Sequence, residues 1–112
     1  MSRNDATGIP VSIKEIVAER DSFDGWPCCV LCGRPAPERL AYSNAHYISR
    51  AQNGRGVPEN IVTLCPECHR RYDQTTDRQQ LKAELKQYLK ECYPGWDEEQ
   101  LIYKKGNNHN EP

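Results

Sequence analysis

The sequence predicts a small α+β domain in which helices flank a pair of short strands. Three observations carry this. A β-branched run, Ile61–Leu64, reads as a short strand. An amphipathic stretch from about Arg78 to Cys92 repeats Leu81, Leu85, Tyr88, Leu89 and Cys92 at three- and four-residue steps, the period of a helix. Two Cys-x-x-Cys pairs, Cys29/Cys32 and Cys65/Cys68, bracket the strand region.

A length of 112 residues fits one domain, and 37% hydrophobic residues with one Phe, one Met and two Trp give it a small core. Such chains bury little surface and often need a staple. No run approaches the roughly 20 apolar residues of a membrane span. No charged-then-apolar leader opens the chain, so the expected setting is a reducing cytoplasm. There the six cysteines serve a metal more readily than a disulfide framework. The net charge of -1 is unevenly spread. Residues 28–72 carry six Arg against three Glu, whereas 1–27 and 73–112 are both net acidic. The basic part coincides with the cysteine-rich part, which keeps a phosphate-bearing partner open.

Along the chain, residues 1–27 read as an N-terminal arm and short helix. The first ten residues show no period. Ser12 and Glu15 have the form of a capping box opening a helix at about 12–20. Residues 21–27 read as loop. Residues 28–73 form the core, with a strand within Leu40–Ile48, a flexible loop over Gln52–Asn60 marked by Gly54, Gly56 and Pro58, the strand Ile61–Leu64, and a helix from the second cysteine pair through about Tyr72. Residues 74–105 hold the C-terminal helices. The first of these, over 78–92, would be about 22 Å long at 1.5 Å per residue and stops at Pro94-Gly95; a short one opens near Asp97. Residues 106–112, with His109, read as a disordered polar tail.

Two thiolates spaced by two residues fold into a knuckle that presents both sulfurs to one tetrahedral ion, and two knuckles complete a four-cysteine site. Cys29, Cys32, Cys65 and Cys68 are therefore the expected ligands of a structural Zn2+. Binding worth roughly 10–16 kcal/mol would rival the whole stability of a small domain. Cys28 is the alternative to Cys29, at a less favourable spacing from Cys32. Cys92 fits the buried face of its helix.

His46 follows the first strand-like run, Asn60 precedes the second strand, and His69 directly follows Cys68. This order of His, Asn and His, interleaved with two Cys-x-x-Cys pairs over about 28–73, resembles the HNH endonuclease family, particularly its small bacteriophage members. The resemblance implies a zinc-stapled ββα-metal nuclease fold with flanking helices, and metal-dependent nicking or cutting of double-stranded DNA. It implies that His46 is the general base, that Asn60 pins the loop and orients the backbone at His46, and that His69 binds a catalytic divalent ion such as Mg2+, Mn2+ or Zn2+. A neutral imidazole suits the base role because it titrates near pH 7. Asp73 lies four residues after His69 and shares its helical face, so it is either a second ligand of that ion or simply exposed. Ala45 stands where many family members carry a metal-binding Asp, His or Glu. His46 and His69 also admit a purely supporting role around the zinc.

Arg50, Arg55, Arg70 and Arg71 flank these residues and are the candidate DNA contacts, since a guanidinium fork matches phosphate. Gly54 and Gly56 would let the loop of Arg55 approach DNA closely. Arg78, Lys82, Lys86 and Lys90 form a ridge that is either a phosphate track or a solvated face. The expected partner is double-stranded DNA, with no membrane; a homodimer or other phage DNA-processing proteins stand as further partners. Two rivals remain: a catalytically inactive, zinc-stabilised nucleic-acid-binding module, and a redox or metal-handling protein.

Overall fold

A computed structural model describes residues 2–104. Four helices and four strands follow in chain order: α1 (Arg3–Thr7), α2 (Val11–Arg20), β1 (Ser22–Phe23), β2 (Trp26–Pro27), β3 (Ser43–His46), β4 (Ile61–Leu64), α3 (Pro66–Gln74) and α4 (Arg78–Cys92). Short 3-10 turns lie at Arg50–Gln52, Pro58–Asn60 and Glu98–Leu101. The mixture of helices with two small antiparallel sheets is the α+β arrangement expected. No helix among the described residues is long and apolar enough to cross a membrane.

The central element is the antiparallel pair β3–β4, in which Ser43 faces Leu64 and His46 faces Ile61. All four residues of β4 are buried. Leu81, Leu85 and Leu89 of α4 and Tyr72 of α3 join Val62 and Leu64 in one core, which Tyr47 and Leu101 complete. Tyr47 meets Trp96 edge-on at 5.4 Å.

The edge of β4 away from β3 would leave buried backbone groups without partners, a costly arrangement. Three contacts satisfy it. The Asp21 carboxylate accepts from the Thr63 amide at 2.9 Å. Arg20 donates to the Ile61 carbonyl at 2.7 Å. The Val30 amide donates to the Thr63 carbonyl at 2.9 Å. Arg20 also pairs with Asp21 at 2.7 Å and lies against the rings of Tyr88 and Tyr93. Burial alone would lower the Arg20 pKa; the hydrogen bond and charge of Asp21 outweigh it and raise it.

Several local expectations are corrected. The N-terminal arm is helical at α1, where the Ser2 hydroxyl caps the Asp5 amide. Its order comes from tertiary contact: the Gly56 amide donates to the Ala6 carbonyl at 2.9 Å. Ser12 is not a cap. Helix α2 begins one residue earlier, because the Pro10 carbonyl accepts from the Ile13 and Lys14 amides and so sets the first turn at Val11. Residues 21–27 contain the β1–β2 hairpin, whose Asp24-Gly25 turn has φ of 55° and 80°. Asp-Gly is the turn chemistry that a two-residue hairpin requires.

The segment 52–60 is a packed connection with two 3-10 turns at its ends. Gly54 and Gly56 are both buried. A Cβ on Gly54 would sit 1.7 Å from the Ile48 carbonyl oxygen, and one on Gly56 would sit 1.7 Å from that of Gly8. These glycines permit close approach within the chain itself. The tail over 106–112, including His109, lies outside the described residues.

Candidate active site and metal centre

The second knuckle is also a helix start. Cys65 is the N-cap of α3, its sulfur accepting from the Cys68 amide at 3.4 Å, and Pro66 takes the first helical position. In the first knuckle the Cys29 sulfur accepts from the Cys32 amide at 3.5 Å, and Gly33 at φ 80° turns the chain back toward the strand pair. The two knuckles meet at the Ser43/Leu64 end of β3–β4. Their four sulfurs lie within 4.8 Å of one another. Cys32 and Cys65 sulfurs are 3.7 Å apart. Two sulfurs at about 2.3 Å from a tetrahedral zinc would be separated by about 3.8 Å, so the cluster fits a zinc site. Burial pushes the Cys68 thiol up, with its sulfur neighbours adding to the shift; four ionised sulfurs this close require a cation to offset their repulsion. Cys28 stands outside the cluster, its thiol on the Trp26 carbonyl, and Cys92 is half-buried on α4.

His46 closes the other end of β3. Its Nε2 lies 2.8 Å from the Thr7 carbonyl oxygen. A carbonyl only accepts, so Nε2 carries the proton and the neutral ring keeps its lone pair on Nδ1. Burial lowers the His46 pKa from the ordinary 6.5; the Thr7 bond and Asp73 push it up, while Arg50 and His69 push it down. The ring therefore shares an electrostatic neighbourhood with both His69 and Asp73.

Asn60 is fully buried and clamps the chain just beyond His46. Its side-chain oxygen accepts from the Ile48 amide at 2.8 Å, and its amide nitrogen donates to the Ile48 and Arg55 carbonyls at 3.1 and 2.9 Å. The Asn60 carbonyl accepts from the Tyr47 amide at 2.7 Å. The Tyr72 hydroxyl donates to the Tyr47 carbonyl at 2.8 Å. The backbone next to His46 is thus held by Asn60 through residues 47 and 48, one and two places beyond His46 itself.

His69 sits on the first turns of α3. Its Nδ1 is 2.5 Å from the Ser43 hydroxyl and its Nε2 is 3.0 Å from an Asp73 carboxylate oxygen. Two neighbouring ligands of an octahedral ion bound at about 2.1 Å are roughly 3.0 Å apart, so the pair has the span of two adjacent coordination positions. Among the described residues the four cysteines are the one cluster of three or more metal-binding side chains, and Ala45, buried against the core, adds no ligand.

An open groove of about 540 Å³ runs past His46, lined also by Lys14, Leu40, Tyr42, Asn44 and Arg50. None of its lining residues is acidic. Arg50 reaches the Thr7 hydroxyl at 3.3 Å and lies at the groove with His46. Arg55 does not join them: it donates to the Gln100 carbonyl at 3.1 Å and lines a different cavity, with Glu59 and Asp97. Arg70 is exposed on α3, and Arg71 pairs with Asp77 at 3.2 Å. Along α4, Arg78 pairs with Asp73 and stacks on Tyr72, Lys82 lies 5.1 Å from the Tyr47 ring, and Lys86 pairs with Glu98. Three of the four ridge cations are thus engaged within the chain. Sequence reasoning missed Thr7 and Lys14, and singled out Ser43 and Asn44 only as weak substitutes for a ligand at Ala45. Only Lys14 carried a usable signal, as a cation in the first turn of a helix.

A protein-family model described as HNH endonuclease matches residues 29–75. No curated protein matches the chain.

Proposed function

We propose that the chain, which the HNH endonuclease family model matches over residues 29–75, is a metal-dependent endonuclease hydrolysing phosphodiester bonds of double-stranded DNA. The observation that carries this is the setting of His46: a ring with its proton fixed on Nε2 and its lone pair on Nδ1, at a groove without carboxylates, near His69 and Asp73.

His46 Nδ1 would take a proton from water as the oxygen attacks phosphorus in line; the opposite P–O bond breaks and its electron pair leaves on the departing oxygen, the 3′ oxygen by family resemblance. The lowered pKa keeps the ring neutral and competent at pH 7. His69 and Asp73 would hold a divalent cation such as Mg2+, Mn2+ or Zn2+, which supplies charge stabilisation at the phosphate when bound. Arg50, whose fork is anchored by Thr7, would grip the backbone beside the reacting phosphate. Asn60 is a positioning residue, acting through residues 47 and 48. Cys29, Cys32, Cys65 and Cys68 would hold a structural Zn2+. Arg70, exposed on the same helix as His69, would add a phosphate contact. Arg55 and Arg71, turned to Gln100 and Asp77, are the weaker contact candidates.

Ala45 favours one second reading, a zinc-stapled nucleic-acid-binding module without catalysis, since two side chains are a thin ligand set for a catalytic ion. A supercoiled-plasmid nicking assay in Mg2+ or Mn2+ separates the two. The nuclease relaxes plasmid in a chelator-sensitive way, and His46→Ala, with its circular-dichroism spectrum unchanged, does not. Equal background nicking by both proteins would favour the binding module.

A further inference from the structure

We infer that Lys14 is a phosphate-contacting residue of the groove at His46, so that the substrate site extends onto helix α2, outside residues 29–75. The inference rests on the nuclease reading for the identity of the ligand, a DNA duplex, and on the groove itself for its chemistry.

Lys14 lines the groove together with His46 and Arg50, and no carboxylate lines it with them. Two cations, Lys14 and Arg50, line one open channel beside a neutral imidazole and favour an anion there. Lys14 is also placed against the interest of its own helix. It is the fourth residue of α2, its amide bonded to the Pro10 carbonyl in the first turn. The positive end of the helix dipole disfavours a cation there. No compensating ion pair offsets this among the described residues: the neighbouring Glu15 pairs with Arg39 at 3.6 Å, and Lys14 is in no ion pair. Lys14, partly exposed, is therefore available to an external anion. The contrast with the second cavity is instructive. There Arg55 shares its walls with two carboxylates, Glu59 and Asp97.

The groove also explains why the contact comes from so far away in sequence. Helix α1 touches His46 through the Thr7 carbonyl, and Ile9, between α1 and α2, lines the channel, so the same segment that orients the base carries Lys14 to the groove.

The test measures duplex binding by fluorescence anisotropy in the cleavage-silent His46→Ala background, with and without Lys14→Ala, across a salt series. One lost phosphate contact lowers the slope of log K against log salt by about 0.9 and weakens binding at least threefold at the lowest salt. Lys14→Arg, which keeps the charge, restores most of the affinity. A methylphosphonate scan of the duplex adds a local readout: at the contacted phosphate, neutralisation weakens the Lys14-bearing protein and leaves the Lys14→Ala protein unaffected. An unchanged slope with no such position overturns the inference, and nicking that needs His46 while ignoring Lys14 does so without touching the nuclease reading. Conversely, Lys14-dependent binding by a wild-type protein that never nicks DNA upholds the contact and overturns the nuclease.

Discussion

The two ends of the β3–β4 pair are built in opposite ways. At the Ser43/Leu64 end, four sulfurs come from two tight knuckles, each closed by an amide-to-sulfur bond within four residues. The groove at His46 draws on the 7–14 segment, the length of β3 and Arg50, and His69 of α3 meets β3 at Ser43. Each half of the first is a preformed local turn, although the two knuckles meet across 33 residues of chain. The second has no such local unit: His46 is oriented only by Thr7, 39 residues away. Disruption of the cysteine end should therefore unfold the chain, whereas disruption of the histidine end should leave the fold and remove the chemistry.

The largest effect follows from the cysteine end. Cys65→Ala removes both a metal ligand and the cap of α3. Since zinc binding in such sites is worth roughly 10–16 kcal/mol, this variant, or wild type stripped by a strong chelator, should lose cooperative thermal unfolding. Native mass spectrometry should count one zinc in wild type and none in the variant. An intact fold without metal would break the contrast between the two ends.

Next comes the Asp21 network. Asp21→Ala leaves the Arg20 guanidinium, the Thr63 amide and the Tyr88 hydroxyl without their shared carboxylate. Removing one partner of a buried ion pair costs about 3–5 kcal/mol. Denaturant melts should show a loss of that size, with zinc content retained. Asn60→Ala should cost about 2–4 kcal/mol, because two Ile48 groups and the Arg55 carbonyl lose their partner in the interior; nicking per folded molecule should fall as well, since the backbone beside His46 loosens.

The pH dependence is a smaller effect that sharpens the histidine end. Burial lowers the His46 pKa below 6.5. A base must be unprotonated, so cleavage at saturating metal should rise through a single ionisation centred below 6.5 and be flat above it. The linked stability has the same sense. The native ring binds a proton less readily than the unfolded one, so its contribution is present above the unfolded pKa and is lost as pH falls through the folded one. His46→Gln should flatten this limb in pH-dependent melts. A cleavage midpoint well above 6.5 would assign the titration to another group.

The parts legible in the sequence are those whose signal is local. Helix α4 and strand β4 occur at Arg78–Cys92 and Ile61–Leu64, where a helical period and a β-branched run mark them. The four-cysteine cluster was legible from spacing alone, since each knuckle is a local turn. Helix α1 was not, because five residues carry no period and its order depends on Gly56 and the 53–56 segment. The Thr7 carbonyl that fixes the His46 tautomer was invisible for a more basic reason: every residue has a carbonyl, so only the fold can say which one a ring will meet. The tertiary role of Gly54 and Gly56 was hidden in the same way, since a glycine admits close approach without naming the partner.

The most direct test of the base assignment is chemical rescue. Purified His46→Gly, checked for zinc content and thermal unfolding, is assayed for plasmid nicking with Mg2+ in the presence and absence of free imidazole. The account expects nicking to fall by roughly 10²–10⁴-fold and to recover in proportion to added imidazole, with no such gain for wild type. Nicking by His46→Gly at the wild-type rate, without imidazole, would contradict it.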